Sequence, residues 1–226
     1  MHVGRVGAPD NRGKSLGQMA GKQLRPGEAD SRDIRRDERA AVNKALRSVG
    51  KVRTVLDVAC GNGRWSDVLA RGRGRSLVDL DISAVALEAA RQSKNGTNIR
   101  GYVRGDAGTL PFSPQSFDLV VCLEFLCHVR GPGRLRALRE MRRVSRRWVL
   151  VEYQHREGLK FAWQRVRRRM GLEARFPRNH LSREQIDVEL RRAGLGIKHI
   201  FPVGGAFSRR WIIVAEAPSP AWLAHN

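Results

Sequence analysis

Acidic residues, cysteines and long apolar runs are all scarce in this sequence, and each shortage excludes a class of protein. No apolar run approaches the roughly 20 residues of a membrane-spanning helix. The first residues also lack the apolar core of a signal peptide, so secretion is not expected. The 3 cysteines, Cys60, Cys122 and Cys127, have neither metal-ligand spacing nor the pattern of a disulfide framework. We therefore expect no metal centre and a reducing compartment, most simply the cytoplasm.

The shortage of acids makes this a basic protein, with a net charge of +21 from 43 Lys and Arg against 22 Asp and Glu. The excess lies in the last third, where residues 130–210 hold 22 Lys and Arg against 7 Asp and Glu. A solvated surface explains such an excess. So does an anionic partner, whether nucleic acid, an acidic membrane surface or a phosphorylated substrate. The charge alone leaves these readings open.

The composition predicts one folded domain with tails. Hydrophobic residues make up 41% of the 226 residues, enough for one sizeable core. Residues 1–30 are rich in glycine and polar residues without periodicity, which predicts a disordered tail. The domain is predicted over residues 31–217, with an inserted lid at about 154–180, and residues 218–226 form a second tail.

Strands and helices are predicted to alternate along the domain. The predicted strands are residues 52–58, 76–81, 99–104, 117–122 and 148–153, and the clearest helices are 31–49, 83–92 and 132–144. This alternation is typical of a parallel, doubly wound α/β sheet. Near the end, a capping box at Ser182 opens a helix that runs to about residue 193. The last two strands, 198–203 and 210–216, are joined too closely for a helical crossover and are predicted to be antiparallel neighbours.

The stretch from Thr54 to Trp65 organises these elements. Its apolar strand runs into Asp57 and then into a turn that contains Gly61 and Gly63. Glycine lets such a turn bend and lets backbone N–H groups approach a ligand where a helix begins. The third glycine of the dinucleotide fingerprint is replaced by Ser66, and no phosphate-cradling Gly-Lys-Ser/Thr is present. A pyrophosphate ligand is therefore disfavoured.

Three acids, Asp57, Asp81 and Asp106, fall at the ends of three successive predicted strands. Ligands bind outside the carboxyl ends of the strands in an open parallel sheet. An acid at the second strand end, about 20 residues past the glycine turn, suits the two hydroxyls of a ribose. Asp106 and the next backbone N–H can bind an adenine edge. One such acid is often only a helix cap, but three in register favour a cofactor with ribose and adenine and no phosphate.

In these motifs the chain resembles the class I S-adenosylmethionine-dependent methyltransferases, in particular the group acting on small molecules, quinones and lipids. The resemblance is carried in order by residues 55–63, 78–83, 105–112 and 116–120, and it covers about residues 52–216. It departs from the family pattern at Ala59, where glycine is common. The resemblance implies a Rossmann-like, doubly wound, seven-stranded α/β sheet, mostly parallel with a terminal antiparallel strand, and S-adenosyl-L-methionine as the cofactor.

The resemblance also implies a role for each motif residue. Asp57 and the backbone around Ala59, Gly61 and Gly63 would hold the methionine part of the cofactor. Asp81 would bind the ribose, and Ile82 would pack on the adenine ring. Asp106 and Ala107 would bind the adenine edge, and Leu123 would line the sulfonium site. Asp79 is an alternative for the ribose, although it lies two residues too early for the pattern.

Methyl transfer is an in-line displacement at an activated methyl group, so the protein mainly positions the nucleophile. A general base is needed only where the nucleophile arrives protonated. The first candidates for that base are His128 and His155, which follow the fourth and fifth strands at the active edge of the sheet. Tyr153, His180 and Glu124 rank behind them.

The acceptor is read from the last third of the chain. Residues 122–125 lack the Asn/Asp-Pro-Pro-aromatic signature of base-modifying enzymes, and neither Cys122 nor Cys127 follows a proline, so both cysteines are read as packing residues. A helix predicted at 158–171 carries an apolar stripe with arginines off it. It suits a lid packed on the sheet, or one that meets an anionic amphiphile or a membrane surface.

We therefore predict a methyltransferase that acts on a small-molecule or lipid-like acceptor. Because the last third of the chain is basic, this acceptor can be anionic. Peripheral contact with a membrane is a further expectation. The first alternative is an RNA methyltransferase that uses the basic span for phosphate contacts. The second is a cofactor-binding fold without catalysis that serves as a partner subunit.

Overall fold

The structure is a computed structural model that describes residues 36–93, 98–155, 180–204 and 209–218. The strands are β1 Thr54–Val58, β2 Ser76–Asp81, β3 Ile99–Arg104, β4 Phe117–Cys122, β5 Ser145–Gln154, β6 Gly196–Pro202 and β7 Arg210–Glu216. The helices are α1 Arg36–Ser48, α2 Ser66–Leu69, α3 Ala84–Gln92, α4 Gly131–Val144 and α5 Arg183–Arg192, with a 3₁₀ turn at Leu126–His128. Within these ranges, no helix combines the length and apolar character needed to cross a membrane.

The strands form one sheet in the order β3-β2-β1-β4-β5-β7-β6. Strands β1 to β5 pair in parallel, and β7 lies antiparallel to both β5 and β6. The predicted seven-stranded, mostly parallel sheet with an antiparallel strand near its end is therefore confirmed. The last two strands are antiparallel neighbours because the chain between them is too short for a helical crossover.

Helices bury both faces of the sheet, which explains why its strands are apolar on both sides. Because side chains alternate along a strand, Leu56 and Val58 enter the core beneath α4 and α5. Val55 enters the opposite core, which α1 and α2 cover. The parallel arrangement brings the carboxyl ends of β1 to β5 to one edge, and the turns after these strands make that edge available for a site.

Most element bounds agree with the sequence pattern, and β5 is the main exception. The strand begins at Ser145, directly after α4, whereas the apolar pattern predicted a start at Trp148. Ser145 pairs with Phe117 of β4, and Arg147 lies over the Trp148 ring at 4.6 Å from its centroid and pairs with Glu216. Pairing with neighbouring strands therefore extends β5 into a polar stretch that local pattern assigns to a loop.

Several predictions from the sequence lie outside the described residues. These are the tail at 1–30, the start of the first helix at 31–35, the helix at 158–171 within the predicted lid, and all but the first residue of the tail at 218–226. The capping box at Ser182 is confirmed. The Ser182 hydroxyl oxygen accepts the Gln185 backbone N–H, and the Gln185 side chain accepts the Ser182 backbone N–H. The helix it opens ends at Arg192, and Gly194 just beyond it has a left-handed φ of 78°.

A buried polar network joins α4 and α5 to the end of β5. Arg134 is 6% exposed, and its Nε donates to Glu189 Oε2 at 3.0 Å while its Nη1 donates to the Val129 carbonyl at 2.8 Å. The Tyr153 hydroxyl donates to the same Glu189 oxygen at 2.9 Å. Burial and the neighbouring Glu189 carboxylate raise the pKa of Tyr153. Tyr153 therefore keeps its proton and acts here as a structural hydrogen-bond donor.

Candidate active site

The turn after β1 folds back over the end of β2. The Cys60 N–H donates to the Leu80 carbonyl at 3.0 Å, and the Gly61 N–H donates to Asp81 Oδ2 at 2.8 Å. Ala59, Gly61 and Gly63 all have left-handed backbone, with φ of 59°, 58° and 74°. Glycine adopts this conformation without strain, whereas the alanine costs about 1–2 kcal/mol there. The turn is thus tightly bent and tied by a charged hydrogen bond to the neighbouring strand.

Asp81 lies at the carboxyl edge, and Asp79 does not. Asp81 is half-buried at the end of β2, and its Oδ1 also accepts the Ser83 N–H at 2.9 Å. Asp79 is fully buried, and its Oδ2 accepts the Ser66 hydroxyl at 2.6 Å beneath the turn. Of the two acids considered for a ribose, Asp81 is therefore the one with access to the edge.

The remaining predicted cofactor residues lie along the same edge. Asp106 follows β3 and accepts the Gly108 N–H at 2.9 Å, and Ala107 beside it is buried. Leu123 is buried directly after β4, on the other side of β1. Ile82 is half-buried after β2. Asp57 lies deeper than these residues, since it is 2% exposed within β1 and in register with Asp79.

The space around the turn fits an adenosine cofactor that comes close to the backbone. A Cβ added at Gly61 would meet no atom within 4 Å, so the face of this residue is open. A Cβ added at Gly63 would lie 2.9 Å from Ser66 Oγ and 3.0 Å from Ala90 Cβ, so this face is filled by protein. Carboxylates suited to hydroxyl and ammonium groups, next to small apolar side chains, match S-adenosylmethionine in chemistry.

Residues 55–147 match a family described as a methyltransferase domain. The matched stretch runs from β1 into β5 and contains the glycine turn, Asp81 and Asp106. Residues 55–147 form a class I methyltransferase domain. The prediction of the S-adenosylmethionine-dependent methyltransferase class, made from the motifs, is thereby confirmed for this domain.

Several methyltransferases of quinone biosynthesis are similar to this domain over less than half of each chain. The ubiquinone biosynthesis O-methyltransferase of Serratia proteamaculans is 31% identical over 110 residues, which are 47% of this chain and 45% of that protein. The demethylmenaquinone methyltransferase of Bacillus licheniformis is 37% identical over 101 residues, 44% and 43% of the two chains. The chain thus spans about half the length of the curated relatives it matches.

Solved structures share the fold over most of the chain. The magnesium protoporphyrin IX methyltransferase of Synechocystis, with bound SAH, superposes with a TM-score of 0.64 at 18% identity, covering 90% of this chain and 93% of that one. A SAM-dependent methyltransferase of Methanosarcina mazei gives 0.61 at 19% identity, covering 77% and 97%. At these identities the likeness establishes the methyltransferase fold.

The two turn glycines of the methyltransferase domain give a matched pair of expected results. Gly63→Ala is expected to lower the free energy of unfolding by about 2 kcal/mol, because the new methyl group meets Ser66 and Ala90. Gly61→Ala is expected to cost only the left-handed backbone strain, about 1 kcal/mol, yet to weaken binding of S-adenosylhomocysteine because its methyl group enters the open face. Urea denaturation and calorimetry measure the two effects, and equal losses of stability in both variants would contradict the assignment.

Five charged side chains form a cluster at the same edge, on the face that α1 covers: Glu38, Arg64, Glu124, Glu152 and Arg210. Glu38 is 5% exposed and pairs with both Arg64 and Arg210. Arg64, which directly follows Gly63 in the turn, also pairs with Glu124 after β4. Glu152 of β5 is equally buried, with its Oε1 3.5 Å from Arg210 Nη1. The charged cluster therefore links α1, the glycine turn, β5 and β7.

Glu152 is a buried acid of this cluster that the sequence reasoning did not single out. Burial raises the pKa of its carboxyl to about 7, Glu124 and Glu38 raise it too, and Arg210 and a hydrogen bond from the Glu124 N–H act against them. Glu124 has a φ of 58°, a left-handed conformation that non-glycine residues rarely adopt outside functional sites and turns. The sequence signal that could have identified Glu152 is its position as a single acid directly after the apolar run 149–151.

The two histidines predicted as base candidates have different surroundings. His128 is exposed at the end of the 3₁₀ turn after β4. His155 is 3% exposed, and its ring stacks on Trp211 with 3.8 Å between centroids. Its backbone N–H donates to the Arg209 carbonyl at 2.9 Å. His180, a lower-ranked candidate, is partly buried, and burial lowers its pKa. The catalytic roles of His128 and His155 stay predictions.

Cys60 and Cys122 are both buried near this edge. Burial and the neighbouring Asp57 carboxylate raise the pKa of each thiol. A thiol is a nucleophile only as a thiolate, so neither side chain has the character of a reactive cysteine. Their surroundings suit packing, which is the role expected from the sequence for Cys122.

Proposed function

We propose that this chain transfers the methyl group of S-adenosylmethionine to a small-molecule or lipid-like acceptor. The observation that carries the proposal is Asp81, held at the end of β2 by the Gly61 and Ser83 N–H groups beside an open turn. The relatives named for ubiquinone and menaquinone chemistry support an acceptor of this class.

The residues of this chain would hold the cofactor in an extended line along the edge. When bound, S-adenosylmethionine supplies an activated methyl group and a good leaving group. The remaining lone pairs of Asp81 would accept from the ribose hydroxyls, and Asp106 with Ala107 would bind the adenine edge. The buried Leu123 would exclude water near the methyl group. The turn backbone fixes these groups before binding, so little ordering is left to be done when the cofactor enters.

A pocket next to the charged cluster is our candidate for the acceptor site. It has a volume of about 440 Å³ and is lined by residues that include Glu38, Gln154, His180, Arg209 and Arg210. This size is within the usual range for small-molecule sites. Glu38 and Arg210 belong to both the pocket and the charged cluster, and Arg64 of the same cluster directly follows Gly63 of the turn. Its polar lining favours an acceptor with a polar head group.

A second candidate acceptor is RNA, favoured by exposed arginines on the helices that cover the opposite face. Arg136 and Arg139 of α4 and Arg192 of α5 are all exposed. Such a surface suits a polyanion, whose binding weakens steeply with salt as counterions are released. These arginines do not line the pocket at the sheet edge. The small-molecule acceptor and the RNA acceptor therefore rest on different parts of the domain.

Transfer of labelled methyl groups into fractionated cell extract tests the proposal. With methyl-tritiated S-adenosylmethionine, we expect label in the small-molecule or lipid fraction, and none when Asp81→Ala replaces the natural chain. Label confined to the RNA fraction, with retention on RNA lost steeply as salt rises, would favour the second candidate. Cofactor binding without transfer to any fraction would instead favour a non-catalytic partner subunit.

A further inference from the structure

A surplus carboxylate is buried in the charged cluster, and it lies level with the residue predicted to line the methyl group. We propose that Glu152 is the group that accepts a proton from the methyl acceptor, a role that rests on the proposed function. Two observations carry this inference: the position of Glu152 on the sheet and the imbalance of charge around its buried carboxylate.

The position follows from strand register. Val151 of β5 pairs with Cys122 of β4, so the next residues, Glu152 and Leu123, lie side by side. Leu123 and Leu150 both belong to the core on the α1 face. Because side chains alternate along a strand, Glu152 projects to that same face. The carboxylate is therefore adjacent to Leu123, on the face of the sheet that bears the charged cluster, and Arg210 beside it also lines the pocket.

The charge balance leaves Glu152 as the least neutralised carboxylate. In the described part of the charged cluster, three carboxylates face two guanidiniums. Glu38 pairs with both arginines, whereas Glu152 has one guanidinium at 3.5 Å. A buried carboxylate with a single guanidinium at 3.5 Å is less well compensated as an anion than one with two close partners, and it takes up a proton more readily. The raised pKa of Glu152 agrees with this environment and puts its titration near neutral pH.

Glu124 is a charged neighbour of Glu152 across the two strands. Its φ of 58° is left-handed, its side chain pairs with Arg64, and its carboxylate raises the pKa of Glu152. The groups that face Glu152 are thus Arg210 from β7, Glu38 from α1 and Glu124 after β4.

The proposed step is balanced without a further reactant. The nucleophilic atom of a protonated acceptor forms a bond to the methyl carbon, and the carbon–sulfur bond breaks with its electron pair retained by sulfur. The acceptor's proton passes to the Glu152 carboxylate and later to solvent. The role requires ionised Glu152, so activity should rise with pH through the pKa of this group, near 7.

Glu152→Gln, which keeps the size of the side chain, tests the role. The probe is methyl-tritiated S-adenosylmethionine with the extract fraction that the natural chain labels. We expect the turnover rate to fall about 100-fold or more, the usual share of a general base, with S-adenosylhomocysteine affinity unchanged within about threefold. The rise of activity with pH should disappear, and Glu152→Asp should restore part of the rate. Partial activity in Glu152→Asp would show that a lower rate does not come from a misfolded chain. Thermal unfolding of both variants checks their folding directly.

Glu216→Gln is the matched control, because Glu216 pairs with Arg147 and Lys198 at the amino end of β5 and far from the edge. It should leave turnover and its pH profile unchanged. Glu152→Gln with a rate within about threefold of the natural chain, or with the pH profile intact, would overturn the inference. Loss of the pH profile in His128→Asn or His155→Asn, and not in Glu152→Gln, would assign the base to a histidine. Cofactor binding with no labelled fraction for the natural chain would overturn the proposed function, and the inference with it.

Discussion

Replacing Asp81 by alanine is expected to weaken S-adenosylhomocysteine binding by about 100-fold or more while the domain stays folded. Hydrogen bonds to a charged group each contribute about 1.5–3 kcal/mol, and two ribose hydroxyls would meet this carboxylate. A loss of about 3 kcal/mol corresponds to about two decades in affinity. The change also removes the acceptor for the Gly61 and Ser83 N–H groups, so the turn itself should loosen. Isothermal calorimetry measures the affinity, and unchanged affinity would remove the cofactor assignment.

Asp118→Ala is the matched control for this prediction. Asp118 also accepts two backbone N–H groups, those of Arg53 at 2.9 Å and Thr54 at 3.0 Å. It lies at the amino end of the sheet, where it pairs with Arg146 as well. Its loss should lower stability by an amount comparable to that of Asp81→Ala and leave the cofactor affinity unchanged. A common loss of affinity would mean that the effect comes from the sheet as a whole.

Replacing Glu189 by alanine is expected to lower the free energy of unfolding by about 3 kcal/mol or more. Arg134 is 6% exposed and would be left with its charge in the core and the Val129 carbonyl as its remaining acceptor in the network. Breaking a buried ion pair from one side costs about 3–5 kcal/mol, because the uncompensated charge cannot return to water. The Tyr153 hydroxyl would lose its acceptor at the same time. Urea denaturation followed by circular dichroism measures the loss.

Two variants of the same region separate this cost from smaller effects. Tyr153→Phe removes one hydroxyl from the network and should cost about 1 kcal/mol. Asp187→Ala breaks the exposed pair with Arg191 on the same helix and should cost less than about 0.5 kcal/mol. A Glu189→Ala loss no greater than that of Asp187→Ala would show that the Arg134 charge reaches water in the variant.

Local pattern was sufficient for the strands and for bringing the predicted cofactor residues to one edge of the sheet. The bounds of β2, β3, β4 and β7 agree with those predicted, because short apolar runs between glycines and polar residues leave little choice of where a strand starts and ends. Asp81 and Asp106 could be placed because parallel strands carry their ends to one edge, whatever the rest of the fold does. The choice between Asp79 and Asp81 was less clear from the sequence, although the motif spacing favoured Asp81. In the structure, Asp79 is buried and accepts the Ser66 hydroxyl, which keeps it away from the edge.

The acceptor side required contacts between residues far apart in the chain. Glu38 and Arg210 are 172 positions apart, and no local pattern predicts that they meet. The same is true of Glu152, whose environment comes from α1, the residue after β4, and β7 at once. His155 read as a candidate base from its place after β5, yet its burial against Trp211 depends on where β7 inserts. Backbone propensity and alternation set the sheet and the edge where the predicted cofactor residues lie, whereas desolvation and long-range charge pairing, which exist only in the folded chain, set the environment of Glu152.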